Sequence, residues 1–317
     1  MLRLTLVLLV LGTTSARAND SVATFGAGGL QLTTTADIAM VKEDLHIATD
    51  KITVDYVFRN RSAETLRHFV AFPMPEIPSW SEFSGDMPVN FSGGDNFMNF
   101  SVSVDGKPVT AQLEERALAG PIDVTAELTA LGIPLNPAAG EAERKLSTFK
   151  EDQLKDLIAA QAVQSRGDGS YEPAWRWRAT WYWLQEFPAG RDIQVSHSYE
   201  PATGGWFYYS EMMNDAEITA AACIDDGLKR AVDKGADGNR TYITVNEIKY
   251  ILTTGGNWAG NIGDFRLTVD KGAPDNLVSF CGEGINKTGP TTFEMRKRDF
   301  HPTRDLDILI FVPLPRE

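Results

Sequence analysis

Cysteine and histidine are scarce in this 317-residue chain, at two and four residues. Cys223 and Cys281 form no CxxC unit, and no two of His46, His68, His197 and His301 stand at metal-ligand spacing. Neither a metal site nor a histidine-based catalytic centre is expected from such a set. No GxSxG, SxxK or Cys–His nucleophile context occurs. Positive charge is also short: 30 Lys and Arg against 43 Asp and Glu leave a formal net charge of −13. An acidic surface repels nucleic acid and anionic lipid at long range, so no nucleic-acid partner is expected. Long apolar runs are missing after Leu11. The longest, Ile308 to Val312, is strand-sized, far below the roughly 20 residues of a membrane-spanning helix. Gly255-Gly256 open no helix and precede no lysine, which argues against a phosphate loop. Asp233 to Thr244 imitates a calcium loop, but Gly235 and Thr244 fall on ligand positions and Thr244 cannot replace the bidentate glutamate. No cofactor is implied.

What the chain does have starts at its beginning. Met1-Leu2-Arg3 is a short basic start, Leu4 to Leu11 an apolar run, and Ala16-Arg17-Ala18 an A-x-A ending. That is the pattern of a cleaved signal peptide, 1–18, with the cut before Asn19. A periplasmic or secreted location is the expectation. Asn19, not a cysteine, stands at the cut, so no lipid anchor is expected there, and no later apolar run is long enough for an integral membrane segment. An even number of cysteines in an exported chain favours a Cys223–Cys281 disulfide over two buried free thiols.

The rest reads as mainly β: two β-sandwich-like units with an α-helical insertion between them. Ile52, Val54, Tyr56 and Phe58 alternate with polar residues, the mark of a half-buried strand. Leu66 to Phe72 returns, and Pro73, Pro75 and Pro78 end it. Phe100, Val102 and Val104 lead into Asp105-Gly106, a hairpin signal. Between Leu113 and Ser165 the pattern turns helical, with Gly132 as a helix stop and Thr148 and Glu151 as a capping-box pair. Alternating runs resume at Trp175, Ile193, Ile243, Phe265 and Leu306, with one short helix over Ala216 to Val232. The expected divisions are 19–112, 113–168 and 169–317.

Aromatic residues give the strongest candidate site. As a strand, Trp175 to Trp183 places Trp175, Trp177, Ala179, Trp181 and Trp183 on one face. Four indoles in a row make either a stacking platform for sugar faces or a wall of the core. Trp206 and Tyr208, after Gly204-Gly205, and Trp258 are further candidate ligand-binding aromatics. His197 falls on the apolar face of its strand, where a hydrogen-bonded core histidine is the usual finding. The carboxylate neighbours Glu43-Asp44, Glu114-Glu115 and Asp225-Asp226 have no partner assignable from sequence.

Several strings carry a resemblance. They include Val70-Ala71-Phe72-Pro73-Met74-Pro75, Gly132-Ile133-Pro134-Leu135-Asn136-Pro137, Phe187-Pro188-Ala189-Gly190, Tyr250-Ile251-Leu252-Thr253-Thr254-Gly255-Gly256-Asn257-Trp258 and Val278-Ser279-Phe280-Cys281. Together they resemble the exported bacterial proteins grouped as domain-of-unknown-function family 4424, over nearly the whole chain after residue 18. The resemblance implies a periplasmic or secreted protein and brings no catalytic residues with it. Both cysteines fall where its pattern expects them. The expected function is a non-catalytic cell-envelope protein that binds a glycan or protein partner through aromatic surface. The alternatives are an exported carboxylate-dependent glycoside hydrolase and a purely structural scaffold.

Overall fold

The computed structural model describes residues 19–26, 29–79, 96, 98–201, 203–236 and 241–315. The expected signal segment and the Asp237-Gly238-Asn239 turn lie outside them. The protein is mainly β, and its strands form three larger sheets and one small hairpin.

The largest sheet has eight strands, in the order Asn286–Lys287, Thr292–Phe300, Ile262–Asp270, Ile38–Ile47, Ile52–Asn60, Asp192–Tyr199, Ser101–Val104 and Lys107–Val109. Neighbours run antiparallel except Ile262–Asp270, which lies parallel to Ile38–Ile47. Alternation decides which face goes inward: Ile52, Val54, Tyr56 and Phe58 are buried while Asp55 and Arg59 are exposed. The Asp105-Gly106 hairpin forms as read, with φ of 48° and 74° at its two central residues. Both lie in the left-handed region that a tight two-residue turn demands. The register of Ile38–Ile47 slips between Met40 and Lys42, and Gly263 of the parallel neighbour sits against that bulge. A Cβ on Gly263 would lie 2.6 Å from the Val41 carbonyl oxygen.

The second sheet has six strands: Gly29–Thr33, Ser21–Gly26, Leu66–Pro73, Arg176–Phe187, Gln112–Ala119 and Ile122–Asp123. Its Val22, Val70, Phe72 and Trp183 pack in one core with Leu45, Val54, Tyr56, Phe58 and Val195 of the eight-stranded sheet. The third sheet is Gly204–Phe207, Thr241–Tyr250, Leu306–Pro315 and Leu277–Ser279, and its strand Leu306–Pro315 is buried on both faces from Ile308 to Phe311. Ile248, Tyr250, Ile308 and Ile310 join the main core. Ile243, Val245, Leu309 and Phe311 pack under the helical region with Met212, Met213 and Val232. Two buried faces explain why Ile308 to Val312 is a continuous apolar run rather than an alternating one.

Helices sit in two places. Thr125–Ala130, Glu141–Leu146 and Lys155–Ala159 enclose a separate core of Leu128, Leu146, Leu154, Leu157 and Trp175. Gly132 ends the first turn of helix at φ 63°, as expected. The Thr148–Glu151 capping pair does not form. The Thr148 hydroxyl donates back to the Lys145 carbonyl, and Lys150 N–H donates to Gln153 Oε1 at 3.0 Å instead. The single helix expected over Ala216 to Val232 is two, Ala216–Ala221 and Asp226–Ala236. The chain breaks at Cys223, which takes a φ of 53° and forms the expected disulfide with Cys281.

The expected divisions at 112/113 and 168/169 do not coincide with sheet edges. Gln112–Ala119 is a strand paired to Arg176–Phe187, and the helices start only at Thr125. The eight-stranded sheet takes strands from both sides of the insertion.

Candidate functional site

The tryptophan row is mostly interior. Trp175, Trp177 and Trp183 are buried, and each indole N–H is satisfied inside the protein. Trp175 donates to the Leu135 carbonyl at 2.7 Å, Trp177 to Glu115 Oε1 at 3.0 Å, and Trp183 to Gln185 Oε1 at 3.3 Å. Trp181 is half-buried and stacks on Phe100 at 5.3 Å. Trp258 is buried, its indole N–H on the Asp20 carbonyl at 2.8 Å. Trp206 is half-buried and directs its N–H at Met212 Sδ, while Tyr208 hydrogen-bonds Asp233. A stacking platform needs rings open to water, and Trp175, Trp177, Trp183 and Trp258 do not offer that. They sit at the two-sheet core and under the helical insertion because indole burial there removes the most apolar area from water. Among the described residues the exposed aromatic rings are Phe25, Phe207, Tyr209 and Tyr242, with the Phe207 and Tyr242 rings 5.7 Å apart.

A polar cluster lies where the three sheets meet, and sequence reading missed most of it. Asn19, Asp20 and Ser21 are fully buried, as is Glu43. Asn19 Nδ2 donates to both Glu43 oxygens, at 3.2 and 3.4 Å, and its Oδ1 accepts from the Tyr56 hydroxyl. Thr254 Oγ1 donates to the Asn19 carbonyl at 3.0 Å. The Tyr56 and Tyr250 hydroxyls are 3.4 Å apart. His197 Nε2 stands 3.4 Å from Asp20 Oδ2, but neither residue's side-chain polar atoms have a hydrogen-bond partner among the described residues. His197 is ringed instead by Tyr56, Phe72, Phe100 and Trp183. It is thus not the hydrogen-bonded core histidine expected.

Burial governs the charge states here. It pushes the Glu43 carboxyl up to about 8, although the Asn19 hydrogen bond opposes the shift. Burial, reinforced by Glu43, raises Asp20. The His197 imidazole is pushed down to about 3 by burial alone. Burial raises both tyrosines; Tyr250 raises Tyr56 further, while Glu43 raises Tyr250 against the lowering effect of its hydrogen bond with Tyr56. The cluster is therefore neutral while Asn19 is held in an ordinary peptide bond. One sequence signal was available: adjacent carboxylates on a strand face opposite ways. Asp44 points outward to Arg266, with Arg266 Nε donating at 2.7 Å, so Glu43 must point in.

An open pocket of about 590 Å³ lies at one end of the eight-stranded sheet. It is lined by Thr49, Asp50 and Lys51 of one strand turn, Asn99, and Ser198 to Pro201 with Thr203. Asn99 Nδ2 donates to Glu200 Oε1 at 2.7 Å, which fixes both groups at the rim. The buried Tyr199 ring forms the floor, and burial raises its phenol. Hydroxyls, an amide and charges of both signs line this volume, with no single-sign field.

Comparison with known proteins follows the fold. The family model "Domain of unknown function (DUF4424)" matches residues 18–309. The chain belongs to the DUF4424 family. Every residue of the buried cluster and of the pocket falls inside the match. No curated protein matches this DUF4424 chain. Among solved structures it is similar to a Legionella pneumophila protein provisionally described as nutrient-binding, at 16% identity and a TM-score of 0.49. That likeness covers 92% of this chain and 72% of the other.

Proposed function

We propose that this DUF4424 protein is an exported, non-catalytic binding protein of the cell envelope. Its ligand is a neutral, polyhydroxylated molecule of the oligosaccharide class. The pocket over Tyr199 carries this reading. Its volume falls in the range of small-molecule sites, roughly 300–1,000 Å³, and its lining mixes donors and acceptors, with Asp50 and Glu200 set against Lys51. A sugar's hydroxyls both donate and accept, so such a lining satisfies them. The hydrolase alternative needs two carboxyls across a water-filled cleft. The carboxyls whose proton affinity is raised most, Asp20 and Glu43, are sealed from solvent. A protein partner at Phe207, Tyr209 and Tyr242 is a second reading, supported by their adjacency and exposure.

Titration calorimetry with a panel of neutral oligosaccharides tests the proposal. At least one should bind, and Asn99→Ala should weaken it by about tenfold, the effect of about 1.4 kcal/mol from lost hydrogen bonding. No binder in the panel, or binding indifferent to Asn99→Ala, rejects the pocket. Release of reducing ends during incubation would favour the hydrolase.

A further inference from the structure

Asn19 is the residue that signal removal would make the first of the chain, and it is one of the most enclosed positions in the fold. We propose that Glu43 and Asp20 form an internal receptor site for the α-ammonium group of Asn19, so that cleavage completes the core. The inference rests on the reading that the chain is cut before Asn19. The family match opens at residue 18.

Three observations support the site. First, Asn19 is held on two sides, its side chain by Glu43 and Tyr56 and its carbonyl by Thr254. Second, two carboxyls are buried here without a cation. Among the described residues the only ion-pair partner either acid has is His197, which burial keeps neutral. Both Asp20 oxygens are buried and without a hydrogen-bond partner. A buried carboxylate is tolerated only when a charge or hydrogen-bond donors compensate it, and an ammonium supplies one charge and three donors. Third, residues 19–21 are fully buried between three sheets.

The chemistry is proton redistribution alone: the amine released by hydrolysis of the Ala18–Asn19 bond is protonated, and Glu43 gives up its proton to become the carboxylate partner. No other covalent change is involved. Asn19, which leads into the Ser21–Gly26 strand of the six-stranded sheet, bonds Glu43 and Tyr56 of the eight-stranded sheet, and the Tyr56 hydroxyl meets that of Tyr250 of the third.

The test compares the exported protein with one carrying a single glycine inserted between Ala18 and Asn19. Intact mass first establishes the N-terminus of each. In the native protein the α-amine should react with an amine-selective reagent at neutral pH at least about tenfold more slowly than in the urea-unfolded chain. The inserted glycine should restore fast labelling and lower the thermal midpoint by several degrees, and Glu43→Gln should shrink that midpoint difference. An N-terminus other than Asn19 would overturn the cleavage reading and the proposal with it. Asn19 at the terminus, labelled as fast in the folded as in the unfolded protein, would overturn the receptor site and leave the cleavage reading standing.

Discussion

Glu43 and His197 respond to burial in opposite directions, and that predicts the shape of the stability profile. Consider a chain in which the Asn19 nitrogen is still an amide. Folded Glu43 keeps its proton to about 8, against an ordinary value of 4.5. Between those values the folded state binds the extra proton, so stability falls as pH rises, by up to about 1.4 kcal/mol per unit. Asp20, raised in the same sense, steepens this limb. Folded His197 stays neutral down to about 3, against an ordinary 6.5. There the unfolded state binds the extra proton, so stability falls as pH drops from 6.5 toward 3. Between 4.5 and 6.5 the His197 slope opposes those of Glu43 and Asp20 together, so the maximum should lie at the acid end of that window. Urea denaturation across pH 3 to 9 measures it. His197→Phe should flatten the acid limb, and Glu43→Gln the alkaline one. A profile still rising from pH 6.5 to 8 would contradict the assignment for Glu43. The residue scale is also where sequence reading was weakest. Tyr56, His197 and Tyr199 were readable as inward-facing, but nothing in the period of a strand tells a polar inward residue from an apolar one, or which distant acid it meets.

Single elements carry two further expectations. Gly263 lies where the parallel Ile262–Asp270 strand meets the Met40–Lys42 bulge, and a Cβ there strikes a main-chain oxygen that cannot rotate away. Gly263→Ala should destabilise by about 1–3 kcal/mol, as overpacking does, measured as a shift in the urea midpoint. The Cys223–Cys281 bond joins the loop between the two short helices to the segment after Leu277–Ser279, across a sequence separation of 58 residues. Replacing both cysteines by alanine should cost about 4 kcal/mol in the chain-entropy account. Alternation identified the strands at Ile52, Leu66, Phe100, Trp175, Ile193 and Ile243, because one wet and one dry face leave a period of two. The helix over Ala216 to Val232 was read as continuous because its composition is helical throughout. The break is imposed by the cross-link at Cys223, a constraint outside the local sequence.

At the scale of the whole molecule, most of the tryptophans serve as structure. Trp183 is buried in the main core beside Phe72 and His197. Trp183→Ala should cost about 3–5 kcal/mol, whereas Phe207→Ala, at an exposed ring, should change stability by under about 0.5 kcal/mol. Equal losses at the two positions would undo the division between core and surface aromatics. The sheets also draw their strands from distant parts of the chain. Ser101–Val104 pairs with Asp192–Tyr199, and Ile38–Ile47 with Ile262–Asp270. Such pairings join residues 91 apart (Val104 with Val195) and 222 apart (Leu45 with Leu267), and the main core draws on all three sheets.

The sequence by itself determined the β class, the inward faces of the main strands, the cysteine pair and the family, because each rests on local period, residue type or a short string. Only the tertiary structure decided that the tryptophan row is interior, that the pocket over Tyr199 exists, and that Asn19, Asp20 and Glu43 share one buried site. Those depend on which strands from distant segments lie side by side. Hydrogen-bonded pairing and side-chain packing set that choice, and a strand's own sequence encodes its faces but not its neighbours.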